Sequence, residues 1–265
     1  MGRIGECFTV LRKRGERALI PFVTAGDPDL ETTESLVRAM LEAGADAIEL
    51  GVPFSDPIGE GPTIQRASER ALRGGVSLRR VLELLKRLRT DTERPLILMG
   101  YANPFLAMGE RNFADAAAEV GADGVICPDL PPEEGEAFYA ALSERGVDGV
   151  LLASPTTTDA RLARLAERTR GFLYYVSLTG VTGAREALAG DVEARVRQVR
   201  AISDVPVCVG FGVSTPEHAR AIGRYADGVV VGSAIVDRIA AAASPGEAVD
   251  AVSAFVAALK APLRP

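Results

Sequence analysis

The feature that most constrains this chain is a recurrence of short β-branched runs, each entered through a small turn and followed by a helical stretch. Asp46-Ala-Ile-Glu-Leu50, Asp123-Gly-Val-Ile-Cys127, Asp148-Gly-Val-Leu-Leu152 and Asp227-Gly-Val-Val-Val231 resemble one another. The first two follow a Gly-Ala pair (Gly44-Ala45 and Gly121-Ala122), where a helix is expected to end on glycine. Pro95-Leu-Ile-Leu-Met-Gly100 and Pro206-Val-Cys-Val-Gly210 form a second repeat that opens on proline. Self-similarity of this kind points to a fold assembled from one repeated unit.

Eight such runs lie near 18–25, 47–52, 95–100, 124–128, 149–153, 172–177, 206–211 and 228–232. Most are continuously apolar, as in strands covered on both faces. Spaced apolar positions between them predict helices near 30–41, 78–88, 113–120, 133–142 and 161–166. Repeated β-then-α units imply a parallel sheet with crossover helices. Eight units in 265 residues match an α/β fold of the (β/α)8 TIM-barrel type. A doubly wound open sheet is the structural rival. Glycine-rich stretches after the seventh and eighth runs favour the barrel, which often binds phosphate there. No stretch reads as an interdomain linker. The expectation is therefore one barrel domain over 1–265, with an extra N-terminal helix (2–14) and a C-terminal helix (245–260).

Composition excludes several function classes. The net charge of −6 leaves no basic footprint for nucleic acid or an anionic membrane. No apolar run approaches the roughly 20 residues needed to cross a bilayer. The first ten residues lack the long apolar core of a secretory signal. Cys7, Cys127 and Cys208 are scattered without CxxC spacing, so no disulfide framework or zinc site is expected, and a reducing cytoplasm is the default. The one histidine, His218, falls inside a helix and reads as a surface residue remote from the strand ends. With no lysine in any of the eight runs, a Schiff-base aldolase is disfavoured.

Glu49 is the most informative residue. Strand alternation puts Ile48 and Leu50 on one face and Ala47, Glu49 and Gly51 on the other. If the bulky face meets the helices, Glu49 points into the barrel mouth. A buried carboxylate needs a partner or a proton, and none of the eight runs carries Lys or Arg. One reading is a structural ion pair. The other is a proton donor and acceptor whose pKa is raised by desolvation. In the following loop, 51–62, Asp56 and Glu60 add two carboxylates; turn chemistry competes with function for Asp56, while Glu60 precedes the Gly-Pro pair that opens the next helix. Three later segments suit an anion: Thr179-Gly-Val-Thr-Gly183, Gly210-Phe-Gly-Val-Ser214 and Gly232-Ser-Ala-Ile235. Tyr174 and Tyr175 must point to opposite faces, and periodicity does not choose between them.

At this point the residues resemble one family, the tryptophan synthase alpha subunit. The resemblance is carried by Pro21-Phe-Val-Thr-Ala-Gly-Asp-Pro28, Ile48-Glu-Leu-Gly-Val-Pro-Phe-Ser-Asp-Pro57, Gly61-Pro-Thr-Ile-Gln65 and Met99-Gly-Tyr-Ala-Asn-Pro104. It continues through Pro128-Asp-Leu-Pro131, Pro155-Thr-Thr-Thr158, Tyr175-Val-Ser-Leu-Thr-Gly-Val-Thr-Gly183, Gly210-Phe-Gly-Val-Ser214 and Val231-Gly-Ser-Ala-Ile235. These span almost the whole chain in order.

The resemblance implies a lyase of tryptophan biosynthesis. It cleaves indole-3-glycerol phosphate to indole and glyceraldehyde 3-phosphate, without metal or cofactor in this chain. It implies Glu49 as the catalytic glutamate, Glu60 as the second carboxylate at the indole N–H, and Tyr174 as the inward tyrosine. Phe22, Met99 and Ile126 would line the indole pocket. Thr182 and Gly183 match the family's strand-six segment; Gly183, Phe211, Gly212, Gly232 and Ser233 would hold the phosphate. One departure is visible: the family usually has aspartate where this chain has Glu60. The resemblance further implies a pyridoxal-phosphate beta subunit in an αββα assembly that receives indole. Pro53, Asp56, Pro57, Asn103, Phe105 and Pro131 lie in loops suited to that contact or to lids. A stand-alone lyase and a non-catalytic beta-activating subunit remain the alternative readings.

Overall fold

A computed structural model describes residues 2–176, 185–210 and 212–265. Eight parallel strands close on themselves in sequence order: β1 (Ala18–Thr24), β2 (Ile48–Gly51), β3 (Leu96–Met99), β4 (Gly124–Ile126), β5 (Asp148–Ala153), β6 (Leu173–Val176), β7 (Val207–Gly210) and β8 (Gly228–Val231). Pairing of β1 with β8 completes the barrel, which settles the choice between a barrel and an open sheet. Around it run α1 (Arg3–Arg14), α2 (Leu30–Glu42), α3 (Pro62–Arg73), α4 (Leu78–Arg89), α5 (Ala102–Met108) and α6 (Glu110–Glu119). They are followed by α7 (Glu136–Glu144), α8 (Asp159–Arg168), α9 (Arg185–Ile202), α10 (Pro216–Gly223), α11 (Ser233–Ala241) and α12 (Pro245–Lys260).

Strand alternation divides the apolar residues. Ile48, Leu50, Leu96, Leu98 and Val125 point outward and pack under the helices. Ile20, Ala47, Ile97, Ile126, Val150 and Cys208 fill the barrel interior. α1 plugs the end where the strands begin, adding Ile4, Phe8 and Leu11 to that inner core.

The recurring acidic turns have a specific task. Asp46 accepts the Leu19 N–H at 2.8 Å, Asp123 the Leu96 N–H at 2.8 Å, and Asp227 the Val207 N–H at 3.0 Å. Each side chain ahead of an even strand thus satisfies an amide at the start of the odd strand beside it, a donor that would otherwise be buried without a partner. At the remaining pair the role passes to Thr169, whose hydroxyl accepts the Leu151 N–H at 3.0 Å. Asp148, grouped with the other acids by sequence, is not used in this way. Cations neutralise the acids: Lys260 and Arg94 at Asp46, Arg3 and Arg89 at Asp123, Arg200 at Asp227. The barrel is pinned by charge at this end, so the opposite end is where unpaired chemistry can sit.

Candidate active site

The carboxyl ends of the strands surround a cavity of about 420 Å3. Phe22, Glu49, Met99, Leu152, Tyr174 and Val230 rise into it from six different strands. The loop after β2 adds Glu60, and the loops after β7 and β8 add Gly212, Ser214, Gly232 and Ser233. A larger groove of about 870 Å3 runs beside α1 at the other end, but its lining is dominated by paired charges such as Lys260 with Asp46 and Arg3 with Glu93. The buried unpaired carboxylate belongs to the smaller cavity.

That carboxylate is Glu49. It is 1% exposed, and among the described residues neither of its oxygens has a hydrogen-bond partner. No described residue lining the cavity is a Lys or Arg, so the ion-pair reading of Glu49 finds no partner here. Burial, and secondarily the Glu60 carboxylate, push its pKa well above the ordinary glutamate value. Parallel register sets it beside Phe22 on β1 and Ile97 on β3. Tyr174 is the inward tyrosine, while Tyr175 packs outward among Leu165 and Val196. Burial, then Glu49 and Glu60, push the Tyr174 phenol well above its usual pKa.

Glu60 reaches the cavity from the loop before α3, and burial pushes its pKa up to about 7. The loop is held on both sides of it. Glu60 N–H donates to Pro57 O at 3.0 Å, Gln65 Nε2 donates to Glu60 O at 2.9 Å, and Gly59 N–H donates to the Tyr101 hydroxyl at 2.9 Å. Tyr101 in turn stacks on Phe54 with ring centroids 5.4 Å apart. α3 is tied to the loop after β1 by Arg70, which clasps the buried Asp27 with two bonds of 2.7 and 2.8 Å. Sequence reasoning singled out neither Tyr101 nor this pair; the Met-Gly-Tyr motif is the only local signal for the tyrosine.

The far end of the cavity suits an anion. Gly232 is the N-cap of α11 and Ser233 its first residue, so the N-terminal turn of that helix borders the cavity. Gly212 sits at φ +72°, a left-handed turn that favours glycine. Ser177, Thr182, Gly183 and Phe211 lie outside the described residues.

Four expectations need correction. Ile126 is wholly buried in the interior core and does not line the cavity. Its register partners are Met99 on β3, which does line the cavity, and Val150 on β5, two residues short of Leu152. Phe105 is also wholly buried, stacked on Phe113 at 4.2 Å, and Pro53 is buried too, so neither offers a surface to a partner. His218 is not remote: on the first turn of α10, its Nδ1 lies 3.4 Å from both the amide and the hydroxyl of Ser214, which lines the cavity. Asp56 and Asn103 are exposed and Pro57 and Pro131 half-buried. Two residues the sequence did not single out join them: Ile58, 86% exposed, and Leu106, 41% exposed.

The family model described as "Tryptophan synthase alpha chain" matches residues 8–264. The tryptophan synthase alpha chain of Citrifermentans bemidjiense is 51% identical, with 98% of this chain and 97% of that protein covered. That of Methylococcus capsulatus is 51% identical over 91% of each. Among solved structures, tryptophan synthase subunit alpha from Legionella pneumophila superposes with a TM-score of 0.91 at 40% identity, covering 99% of this chain and 98% of that one. Tryptophan synthase from Mycobacterium tuberculosis superposes at 0.90 and 37% identity over the full length of both chains. With a family model over nearly all of its length and half-identical relatives end to end, this chain belongs to the tryptophan synthase alpha chain family.

Proposed function

We propose that this chain cleaves indole-3-glycerol phosphate to indole and glyceraldehyde 3-phosphate, with Glu49 moving the proton. The observation that carries this reading is a fully buried carboxyl at a strand end, without a partner among the described residues, sharing its cavity with a second carboxyl that reaches in from a loop. The two environments separate the roles. Glu49, held protonated by desolvation, donates to the indole ring carbon that bears the side chain. The ring becomes a cationic indolenine. Glu60, ionised and near the ring nitrogen, stabilises that charge as it forms. The Glu49 carboxylate then takes the proton of the side-chain hydroxyl, the C–C bond breaks, and its electrons restore the aromatic ring. One proton is given and one is taken, so Glu49 ends as it began.

Phe22, Met99 and Leu152 supply the apolar walls for the indole ring. The turn at Gly212 and the start of α11 at Gly232 and Ser233 receive the phosphate. Glu60 replaces the family's usual aspartate, and its longer arm is accommodated by a loop whose backbone is bonded on either side of it. No step draws on a metal or cofactor in this chain.

The partner in this reading is a beta subunit that carries pyridoxal phosphate and receives indole in an αββα assembly, in the cytoplasm. Its docking face is the barrel mouth, where exposed apolar Ile58 and Leu106 stand with Asp56 and Asn103.

Glu49→Gln keeps the shape of the side chain and removes the exchangeable proton. The expected result is a loss of cleavage of at least about 100-fold with substrate affinity retained. Turnover near wild type would refute the proton-transfer role.

A further inference from the structure

Thr24 is the last residue of β1, two positions beyond Phe22 and therefore on the same inward face. It is 1% exposed, and among the described residues its hydroxyl has no hydrogen-bond partner. Buried hydroxyls are almost always paired, so this one asks for an acceptor. It borders a small cavity of about 20 Å3 beside the main site, shared with Glu60, Ser68 and Tyr101. That volume is enough for one water, and four polar groups meet its need for two to four partners. Glu60 lines both cavities and so forms part of the wall between them.

We propose that Thr24 is a positioning residue for Glu60: its hydroxyl donates to a single water in the side cavity, and that water donates to the Glu60 carboxylate. This rests on the role given to Glu60 above. That role requires an ionised carboxylate in a site that disfavours charge. The groups facing Glu60 make matters worse or are neutral: Glu49 from β2, Tyr174 from β6, Tyr101 after β3 and Asp237 on α11. No Lys or Arg is among the described lining residues of either cavity. A hydrogen bond to the charged form is then the available means of favouring it. The same bond fixes which way the longer glutamate arm points, because Gln65 bonds only the Glu60 carbonyl and Tyr101 only the amide of neighbouring Gly59.

The test is the pH dependence of kcat/KM for indole release in wild type, Thr24→Val, Thr24→Ser and Glu60→Gln. Valine keeps the shape of threonine and removes the hydroxyl; serine keeps the hydroxyl. The substrate phosphate titrates alike in every variant, so ratios to wild type cancel it. Thr24→Val should move the acidic limb to higher pH by about one unit, the usual worth of a hydrogen bond to a charged group. Thr24→Ser should restore the wild-type limb, and Glu60→Gln should remove the limb. A limb unmoved in Thr24→Val but absent in Glu60→Gln overturns the role of Thr24 alone. Serine behaving like valine overturns it as well. A limb that persists in Glu60→Gln overturns the assignment of Glu60, and this proposal with it.

Discussion

Asp46 and Glu49 lie three residues apart, one in the turn ahead of β2 and one within it, and burial treats them in opposite ways. Asp46, 2% exposed, accepts the Leu19 amide and pairs with Lys260 at 2.8 Å and Arg94 at 3.3 Å. Glu49, 1% exposed, has no such partner among the described residues. The first is a carboxylate satisfied by structure; the second is a carboxyl left to chemistry. A raised pKa in the folded state is also a statement about stability. The unfolded glutamate titrates near 4.3, so the contribution of Glu49 is fully present below that value and is lost as pH rises through its folded pKa. Glu49→Gln removes the loss. Thermal unfolding should therefore show the variant more stable than wild type at pH 8, with the gap closing toward pH 5. A gap that is constant, or that widens at low pH, would show that Glu49 is not held protonated.

At the scale of elements, the strands were legible because they are continuous apolar runs; seven fall within the segments read from sequence, and β5 begins one residue earlier, at Asp148. Their caps were legible in type but not in pairing. The repeated acids announce strand starts, yet nothing local says that each serves the neighbouring strand, or that Thr169 replaces an acid at one pair. α5 was not foreseen. Its first amide is held by Asp129, 27 residues away, at 2.8 Å, and its Pro104 sits in the first turn, where proline is tolerated. Missing that helix is why Phe105 looked like a surface loop residue. Close packing at the strand ends leads to a further prediction. A Cβ at Gly51 would lie 2.5 Å from the Phe22 ring. Gly51→Ala should displace Phe22 from the indole wall and raise KM about tenfold, with a destabilisation of about 1–3 kcal/mol. Steady-state kinetics beside thermal unfolding check it; an unchanged KM would mean that Phe22 is not part of the pocket.

At the scale of the molecule, the two ends of the barrel are specialised in opposite senses. The end where strands begin is plugged by α1 and crossed by ion pairs; Lys260, 2% exposed on the C-terminal helix, bonds Asp46 and Arg17 O there. The other end keeps its carboxyls without cations among the described lining residues and exposes Ile58 and Leu106 at its rim. Alternation along single strands made Glu49 legible and offered Phe22 and Tyr174 as candidates; the family resemblance then chose Tyr174 over Tyr175 and brought in Met99. The stagger between strands, which sets how high each residue stands, was not legible, nor was the packing of Ile126 wholly within the interior core. Tyr101, Arg70 and Thr24 were passed over for the same reason, since their roles exist only between elements. The most direct test of the account is indole release from indole-3-glycerol phosphate by this chain, alone and with a tryptophan synthase beta subunit. Slow release that rises about tenfold or more when beta saturates the mouth is the predicted result. A folded chain that releases no indole in either condition would contradict it.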